Sequence, residues 1–248
     1  SYTQSAEIIS SILTAFNSGA EKQLASQLSS AQLPLDKINT PEIFWILSDA
    51  DFDLNLNDKE SKGILTIGNN PSIQDSLSPV IALILTGTMK MLNQPNKAKS
   101  VFLVDEFPTI YIPNVEQLPA TARSNKVSTV LACQDISQIV DGYGREKSDT
   151  ILSNLGNQFY GRTTNIQTAE RVSKIFGKYD KEKVSYSSKS WLDTSETKST
   201  QEADLVKATQ VFQTETGSFY TLLSSGKKRL GISKIPMDTT FVKSDITL

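Results

Sequence analysis

Apolar residues recur along the chain first at helical spacing and later in short runs. Between residues 6 and 28 they recur at steps of three and four, which predicts an amphipathic helix, and residues 33–41, with two prolines, predict a connector. The apolar run at 43–47 is too short to distinguish a strand from a helix. Beyond it, strand-like runs alternate with helical patterns, which is typical of βαβ units around a mainly parallel sheet. The predicted strands are 63–68, 100–104, 127–133 and 158–161, and a helix is predicted to open at Ser78-Pro79 and to end near Leu92.

The composition changes after residue 178. Residues 178–200 are rich in serine and lysine and poor in large apolar side chains, which predicts a solvated excursion from the core. A closing hairpin is predicted at 219–232. We therefore expect a helical segment with its connector over residues 1–38, followed over 39–248 by an α/β domain that contains the excursion.

Composition excludes several kinds of chemistry. The chain has 248 residues, of which 38% are hydrophobic, and its formal net charge is only −2, so any nucleic-acid contact must be local. Histidine is absent, which excludes histidine-based triads and His-ligated zinc. The single cysteine, Cys133, lies in an apolar run and is expected to be a structural thiol. The chain begins with Ser1 rather than Met, so we expect it to be either a fragment or a trimmed product.

The strongest chemical signal is a strand that ends in two acids. Four apolar residues, 101–104, are followed directly by Asp105 and Glu106. Ligands of open α/β sheets bind beyond the carboxyl ends of the strands, where these acids would lie. This is the Walker B arrangement, in which one carboxylate orients the water shell of Mg²⁺ and the next orients the attacking water. The alternative, a buried strand that leaves the core through an acidic loop, stays open at this point.

The usual partner of a Walker B strand is absent from the sequence. No glycine-rich loop of the form G-x-x-x-x-G-K-[ST] is present, so no backbone cradle for the β and γ phosphates can be assigned. We expect this chain alone to bind ATP poorly or not at all. Either the loop lies upstream on a longer chain, or the protein is a non-ATPase relative.

A family resemblance favours the first explanation. The region from Lys62 to Gly177 resembles the C-terminal motor region of the TraG/TraD-type coupling proteins of conjugation and type IV secretion, especially the mobilisation versions of Bacteroides-like bacteria. The order and spacing of several pieces carry the resemblance. These pieces are Asn39 to Ser48, Gly68 to Pro71, Val104 to Ile110, Ala120 to Val127, Gln134 to Gln138 and Thr168 to Arg171.

The resemblance implies a RecA-like P-loop NTPase fold whose phosphate loop lies outside this sequence. Members of the family are hexameric ATPases that use ATP and Mg²⁺. They are anchored at the cytoplasmic face of the bacterial inner membrane, and they hand relaxase-bound single-stranded DNA to the secretion channel. By this resemblance the present segment is expected to be soluble and monomeric by itself, with no nucleotide tightly bound and no appreciable ATPase activity.

The resemblance also implies roles for individual residues. Asp105 would be the magnesium aspartate and Glu106 the catalytic glutamate, while Gln134 would match the sensor glutamine that hydrogen-bonds a γ-phosphate or its water. Arg123 would reach across a subunit interface to the phosphoryl group, a role for which Arg162 competes. The alternative for Arg123 is a surface charge or a cation at a helix C-terminus.

DNA contacts and the overall function leave alternatives open. Lys181, Lys183 and Lys189, with Tyr186 and Trp191 in the same stretch, offer charge and stacking to DNA, but such a segment is also typical of a solvated loop. Two rival functions remain beside the coupling ATPase. One is a non-catalytic docking module for relaxase or accessory proteins, and the other is a double-stranded DNA translocase of the FtsK type.

Overall fold

A computed structural model describes residues 10, 14, 16–17, 21–49, 51–190, 193–227 and 229–236. The chain divides into two compact units. The first consists of the described residues up to Ser100 together with 110–114 and 124–127, and the second consists of 101–109, 115–123 and the described residues from Ser128 onward.

The first unit is built mainly from three helices. These are α1 (Glu21–Ile38), α2 (Pro41–Ser48) and α3 (Gln74–Leu92). Helix α2 begins where Thr40 Oγ1 accepts a hydrogen bond from the backbone N–H of Ile43 (3.3 Å) and proline occupies the first turn. A capping threonine followed by proline is a known helix start, so this signal settles the undecided run as helical.

Two predictions about the N-terminal part are wrong. The predicted helix over 6–28 lies partly outside the described residues, and its described part continues through the predicted connector to Ile38. Pro34 lies within this helix and does not end it, although an interior proline lacks an N–H donor and disfavours the helix. The predicted opening at Ser78-Pro79 is also misplaced. Asn70 caps a 3-10 turn over Pro71–Ile73, which leads directly into α3.

The predicted first strand at 63–68 is not a strand. An isolated bridge joins Asn57 to Lys62, and the following residues are irregular, with the side chain of Ile64 96% exposed. The fixed point of this region is Asn57, whose buried side-chain amide donates to the carbonyl oxygen of Leu92 (2.9 Å) and to Ser100 Oγ (3.3 Å). A buried amide with partners on two segments pins the irregular chain to the end of α3.

Helix α3 is apolar along its length. With the preceding turn, Pro71–Leu92 is long and apolar enough to cross a membrane by length and composition alone. Core helices of water-soluble proteins meet the same criterion, and Val80, Ile81, Met89 and Leu92 of this helix are buried within the protein.

Strands β1 (Ser100–Val104) and β2 (Val127–Leu131) pair side by side. Ser100 N–H donates to the Lys126 carbonyl at one end (3.2 Å), and Ala132 N–H donates to the Val104 carbonyl at the other (2.9 Å). The residue numbers rise together along both strands, so the pair is parallel and the carboxyl ends lie at one edge. Both strands lie within the predicted ranges.

The second unit contains a small hydrophobic core and a three-stranded antiparallel sheet. In that sheet β6 (Ser218–Leu222) is central, between β3 (Gln158–Tyr160) and β7 (Leu230–Lys234). The core contains Ala169, Val172, Val206, Val211 and Tyr220. Its helices are α4 (Gln117–Thr121), α5 (Ile136–Tyr143), α6 (Arg145–Asn154), α7 (Ile166–Phe176) and α8 (Ala208–Phe212).

Helix α7 connects the core to a long hairpin. Asn165 caps its start by accepting the N–H groups of Gln167 and Thr168, and Gly177, at φ 77°, ends it. Strands β4 (Lys178–Ser190) and β5 (Asp193–Asp204) follow as an antiparallel pair. The segment expected as a solvated excursion is therefore a regular hairpin, and the side chains that the structure describes on it are mostly exposed.

Candidate functional site

The chain turns sharply where β1 ends. Asp105 and Glu106 follow Val104 directly and both are exposed, while the next residue, Phe107, is fully buried. Phe107 stacks on Tyr143 with ring centroids 4.9 Å apart, and its backbone N–H donates to the Ala132 carbonyl (2.8 Å). The buried ring fixes the turn against the end of β2 and leaves the two acids in solvent.

Glu106 has an unusual backbone conformation. Its φ is +50°, in the left-handed region of backbone conformation that residues other than glycine rarely adopt. Such a residue costs of the order of 1–3 kcal/mol, and these residues cluster at functional sites, where the surrounding structure holds them. The strain therefore marks Glu106 independently of the sequence motif.

The side chains of Glu106 and Gln134 meet. Gln134 Nε2 donates to Glu106 Oε1 at 3.0 Å, although the two residues are 28 positions apart. Gln134 lies just beyond β2, and the parallel pairing brings the two strand ends to the same edge. The sequence named both residues, and the structure brings them into hydrogen-bond contact. An exposed carboxylate beside a neutral amide can accept a proton from water and position that water.

Asp105 suits a hydrated magnesium ion. Its Oδ1 accepts the backbone N–H of Glu106 (3.0 Å), which orients the carboxylate beside the strand end. Within the described ranges, no group of three or more Asp, Glu, Cys or His side chains is arranged to hold a metal. Mg²⁺ in nucleotide sites is held by one or two carboxylates, several waters and substrate phosphates. The residues present therefore fit an ion that arrives with its nucleotide, with Asp105 as the protein contact.

The two candidate arginines lie elsewhere in the second unit. Arg123 follows α4 and Arg162 follows β3, and both side chains are exposed. Among the residues that the structure describes, neither forms a hydrogen bond or an ion pair with Asp105, Glu106 or Gln134. A trans-acting arginine serves the site of a neighbouring subunit, so both assignments stay predictions.

Sequence reasoning gave no role to Asp135, which organises the residues beside the site. Its Oδ1 accepts the N–H of Ser137 (2.9 Å) and the hydroxyl of Thr168 (3.1 Å), and its Oδ2 accepts the hydroxyl of Thr163 (3.0 Å). This carboxylate caps α5 and ties Gln134's own loop to the loop before α7. The capping pattern Asp-x-Ser was visible in the sequence, whereas the two threonine contacts were not.

Cys133 is a poor nucleophile. Burial, together with the nearby negative charges of Asp135 and Glu106, raises the pKa of its thiol to about 11. The thiolate is the reactive form, so the raised pKa keeps the side chain inert near neutral pH. This agrees with the structural role expected from the sequence.

Comparisons with known proteins agree with this geometry. Residues 99–215 match the family model described as the TraM recognition site of TraD and TraG. No curated protein sequence matches the chain. Among solved structures, the unbound bacterial conjugative coupling protein TrwBdeltaN70 aligns with a TM-score of 0.70 at 18% identity, over 88% of this chain and 50% of that chain.

Nucleotide-bound forms of the same coupling protein are also similar. TrwB with the non-hydrolysable GTP analogue GDPNP aligns with a TM-score of 0.68 at 17% identity, over 87% of this chain and 50% of that one. TrwB in complex with ADP and Mg²⁺ aligns with a TM-score of 0.61 at 16% identity, over 77% of this chain and 44% of that one. The chain thus spans about half the length of these proteins.

At such low identities the structural likeness shows the fold, and it confirms the predicted α/β, RecA-like P-loop NTPase class with a parallel sheet and flanking helices. The family match covers the segment that carries Asp105, Glu106 and Gln134. Residues 99–215 therefore resemble the TraG/TraD-type coupling proteins, which confirms the resemblance predicted from the sequence.

Proposed function

We propose that this chain supplies the Walker B half of a motor that uses ATP hydrolysis to deliver relaxase-bound single-stranded DNA to a type IV secretion channel. The observation that carries the proposal is the hydrogen bond between Gln134 and Glu106 at the shared edge of two parallel strands. The nucleotide-bound TrwB structures support it, since they belong to a coupling protein of the same fold.

Each residue has a task in this proposal. Glu106 orients the attacking water and takes its proton, and the strained turn holds its carboxylate at the strand end. Gln134 holds the other side of Glu106 through its amide and can turn a second N–H toward a phosphate oxygen. Asp105 would hold Mg²⁺, which when bound neutralises charge on the phosphoryl group.

The whole protein is proposed to work as a homo-hexamer at the cytoplasmic face of the inner membrane. In that assembly an arginine, Arg123 or Arg162, would reach the site of the next subunit and stabilise the transferring phosphoryl group. The chain alone is expected to be monomeric in light scattering and to show no Mg²⁺-dependent phosphate release, because its sequence contains no phosphate loop.

The test is DNA-stimulated ATP hydrolysis by the longer protein. Glu106→Gln keeps the size of the side chain and removes its basicity, so kcat is expected to fall by about 100-fold or more. Glu146→Gln, an exposed acid in the first turn of α6, is the matched control and should leave the rate unchanged. Equal rates for wild type and Glu106→Gln would refute the catalytic role.

A second function is favoured by one specific finding. The matching family model is described as the TraM recognition site of TraD and TraG. We therefore also propose that this region docks an accessory protein. If it docks without a catalytic role, Glu106→Gln would leave both hydrolysis by the longer protein and accessory-protein binding unchanged. If it is a motor with a docking surface, the same change would abolish hydrolysis alone.

A further inference from the structure

The two faces of the β4–β5 hairpin differ in charge. Side chains alternate between faces along each strand, and directly paired residues share a face. On one face, here called the lysine face, three residues of β4 are opposite three residues of β5: Tyr179 with Ala203, Lys181 with Gln201, and Lys183 with Ser199. The opposite face has Lys178, Asp180 and Glu182 opposite Asp204, Glu202 and Thr200.

The lysine face carries positive charge that is not neutralised locally. None of its six described side chains is a carboxylate, whereas the opposite face has four, one of which pairs with Lys178 (Lys178 Nζ to Glu202, 3.2 Å). Lys181 and Lys183 are exposed, and in the part of the chain that the structure describes neither forms an ion pair. Sorting the charges this way gives a near-neutral protein a local cationic surface.

The face also offers a ring for stacking. Tyr179 is 45% exposed, and its cross-strand partner is the small Ala203, which leaves space beside the ring. Residues two apart on a strand are separated by about 7 Å. Two flexible lysine side chains at that spacing can reach two phosphates of one nucleic-acid strand, which are about 3.4 Å or more apart. Tyr179 lies two residues before Lys181 on the same face, next to this pair.

We propose that the lysine face of the hairpin binds one strand of nucleic acid, with Lys181 and Lys183 on phosphates and Tyr179 stacked on a base. The inference rests on the DNA-transfer function proposed above and assigns its DNA contact to a particular surface. Tyr186, Lys189 and Trp191, which the sequence placed in the same candidate region, have side chains outside the described part of the chain and carry no part of the argument.

The test is the binding of fluorescein-labelled oligo(dT) to the chain itself, measured by fluorescence anisotropy. The NaCl concentration is varied between about 50 and 200 mM, because phosphate contacts weaken strongly over this range. Lys181→Gln with Lys183→Gln is expected to weaken binding about tenfold at the low-salt end. It should also reduce the slope of log K against log salt by about 1.4, that is about 0.7 per phosphate contact. Tyr179→Leu should weaken binding about fivefold or more with the slope unchanged.

Matched controls separate this effect from general loss of charge or fold. Lys178→Gln with Lys198→Gln removes the same charge from the opposite face and should leave affinity unchanged. Lys181→Arg with Lys183→Arg keeps the charge and should keep binding. Circular dichroism of every variant should match wild type.

Four outcomes would overturn the proposal. One is wild-type affinity in the lysine-face glutamine variant, and another is an equal loss in the opposite-face control. The third is a lysine-face glutamine variant whose sedimentation coefficient changes while its oligonucleotide affinity does not, which would make this face a contact between copies of the chain. If wild type does not bind oligo(dT) at all, the proposal also fails, while the hydrolysis test of Glu106→Gln still decides the proposed function.

Discussion

Asp135→Ala is expected to be the most destabilising single change near the candidate site. The carboxylate accepts three hydrogen bonds, from the backbone of Ser137 and from the hydroxyls of Thr163 and Thr168. Alanine removes all three and supplies nothing in their place. Both threonines are buried, at 9% and 7% exposure, so water cannot fully replace the lost acceptor.

The magnitude follows from these three bonds. Loss of the helix cap at Asp135 costs about 1 kcal/mol. Each threonine hydroxyl then loses a bond to a charged acceptor while partly or fully buried, which costs about 1–1.5 kcal/mol apiece. The sum is about 3 kcal/mol. Asparagine keeps one side-chain oxygen and so keeps the cap and at most one hydroxyl bond, which reduces the expected loss to about half of that.

Equilibrium urea unfolding, followed by circular dichroism, measures this loss. With a slope of about 2 kcal/mol per molar urea, Asp135→Ala should lower the midpoint by about 1.5 M. Asp141→Ala, an exposed aspartate on the same helix α5, is the matched control and should shift it by only a few tenths. If the two alanine variants unfold at the same urea concentration, the three bonds do not stabilise the fold and the reasoning is refuted.

Three further predictions concern single sites. Glu106→Gly should be more stable than Glu106→Ala by about 1 kcal/mol in the same assay, because glycine adopts the positive φ of +50° without strain; equal stability would contradict the strained turn. Cys133, with its pKa raised to about 11, should react with a disulfide reagent at pH of about 8 at least 100-fold more slowly than free cysteine, and reaction at the free rate would show an accessible, unperturbed thiolate. The hydrogen bond from Lys97, together with that from the Glu60 backbone N–H, lowers the pKa of Asp58 to about 2, so the stability these contacts contribute is present above pH 3.8 and is lost as the pH falls through 2. Lys97→Gln should move the NMR titration midpoint of Asp58 back toward 3.8, and an unmoved midpoint would exclude Lys97 as the cause.

The sequence was informative where a pattern is local. Strand β1 is a short apolar run that ends directly at two acids, and β2 is a short run rich in β-branched residues, so both have a local strand pattern. The run at 63–68 has the same composition but is irregular, with Ile64 almost fully exposed. A strand requires a neighbour to pair with, and apolar composition alone does not reveal whether one is present.

Long-range contacts were beyond the sequence. The contacts of Asp135 with Thr163 and Thr168 span 28 and 33 residues, and nothing in either local pattern indicates the other. The family resemblance named Gln134 and Glu106 as site residues, but the hydrogen bond between them was not predicted. Without that resemblance, a glutamine after an apolar strand is an ordinary polar residue.

The turn after β1 shows how the fold maintains an unfavourable conformation at the site. The left-handed backbone of Glu106 costs about 1–3 kcal/mol, and its exposed hydrogen bond to Gln134 offsets about 1 kcal/mol at most. The adjacent Phe107 is fully buried and stacked on Tyr143, which contributes about 2–3 kcal/mol from burial and about 1 kcal/mol from stacking. Because the anchor outweighs the strain, the acid stays exposed at the strand end within reach of the amide, where water and a phosphate can meet it.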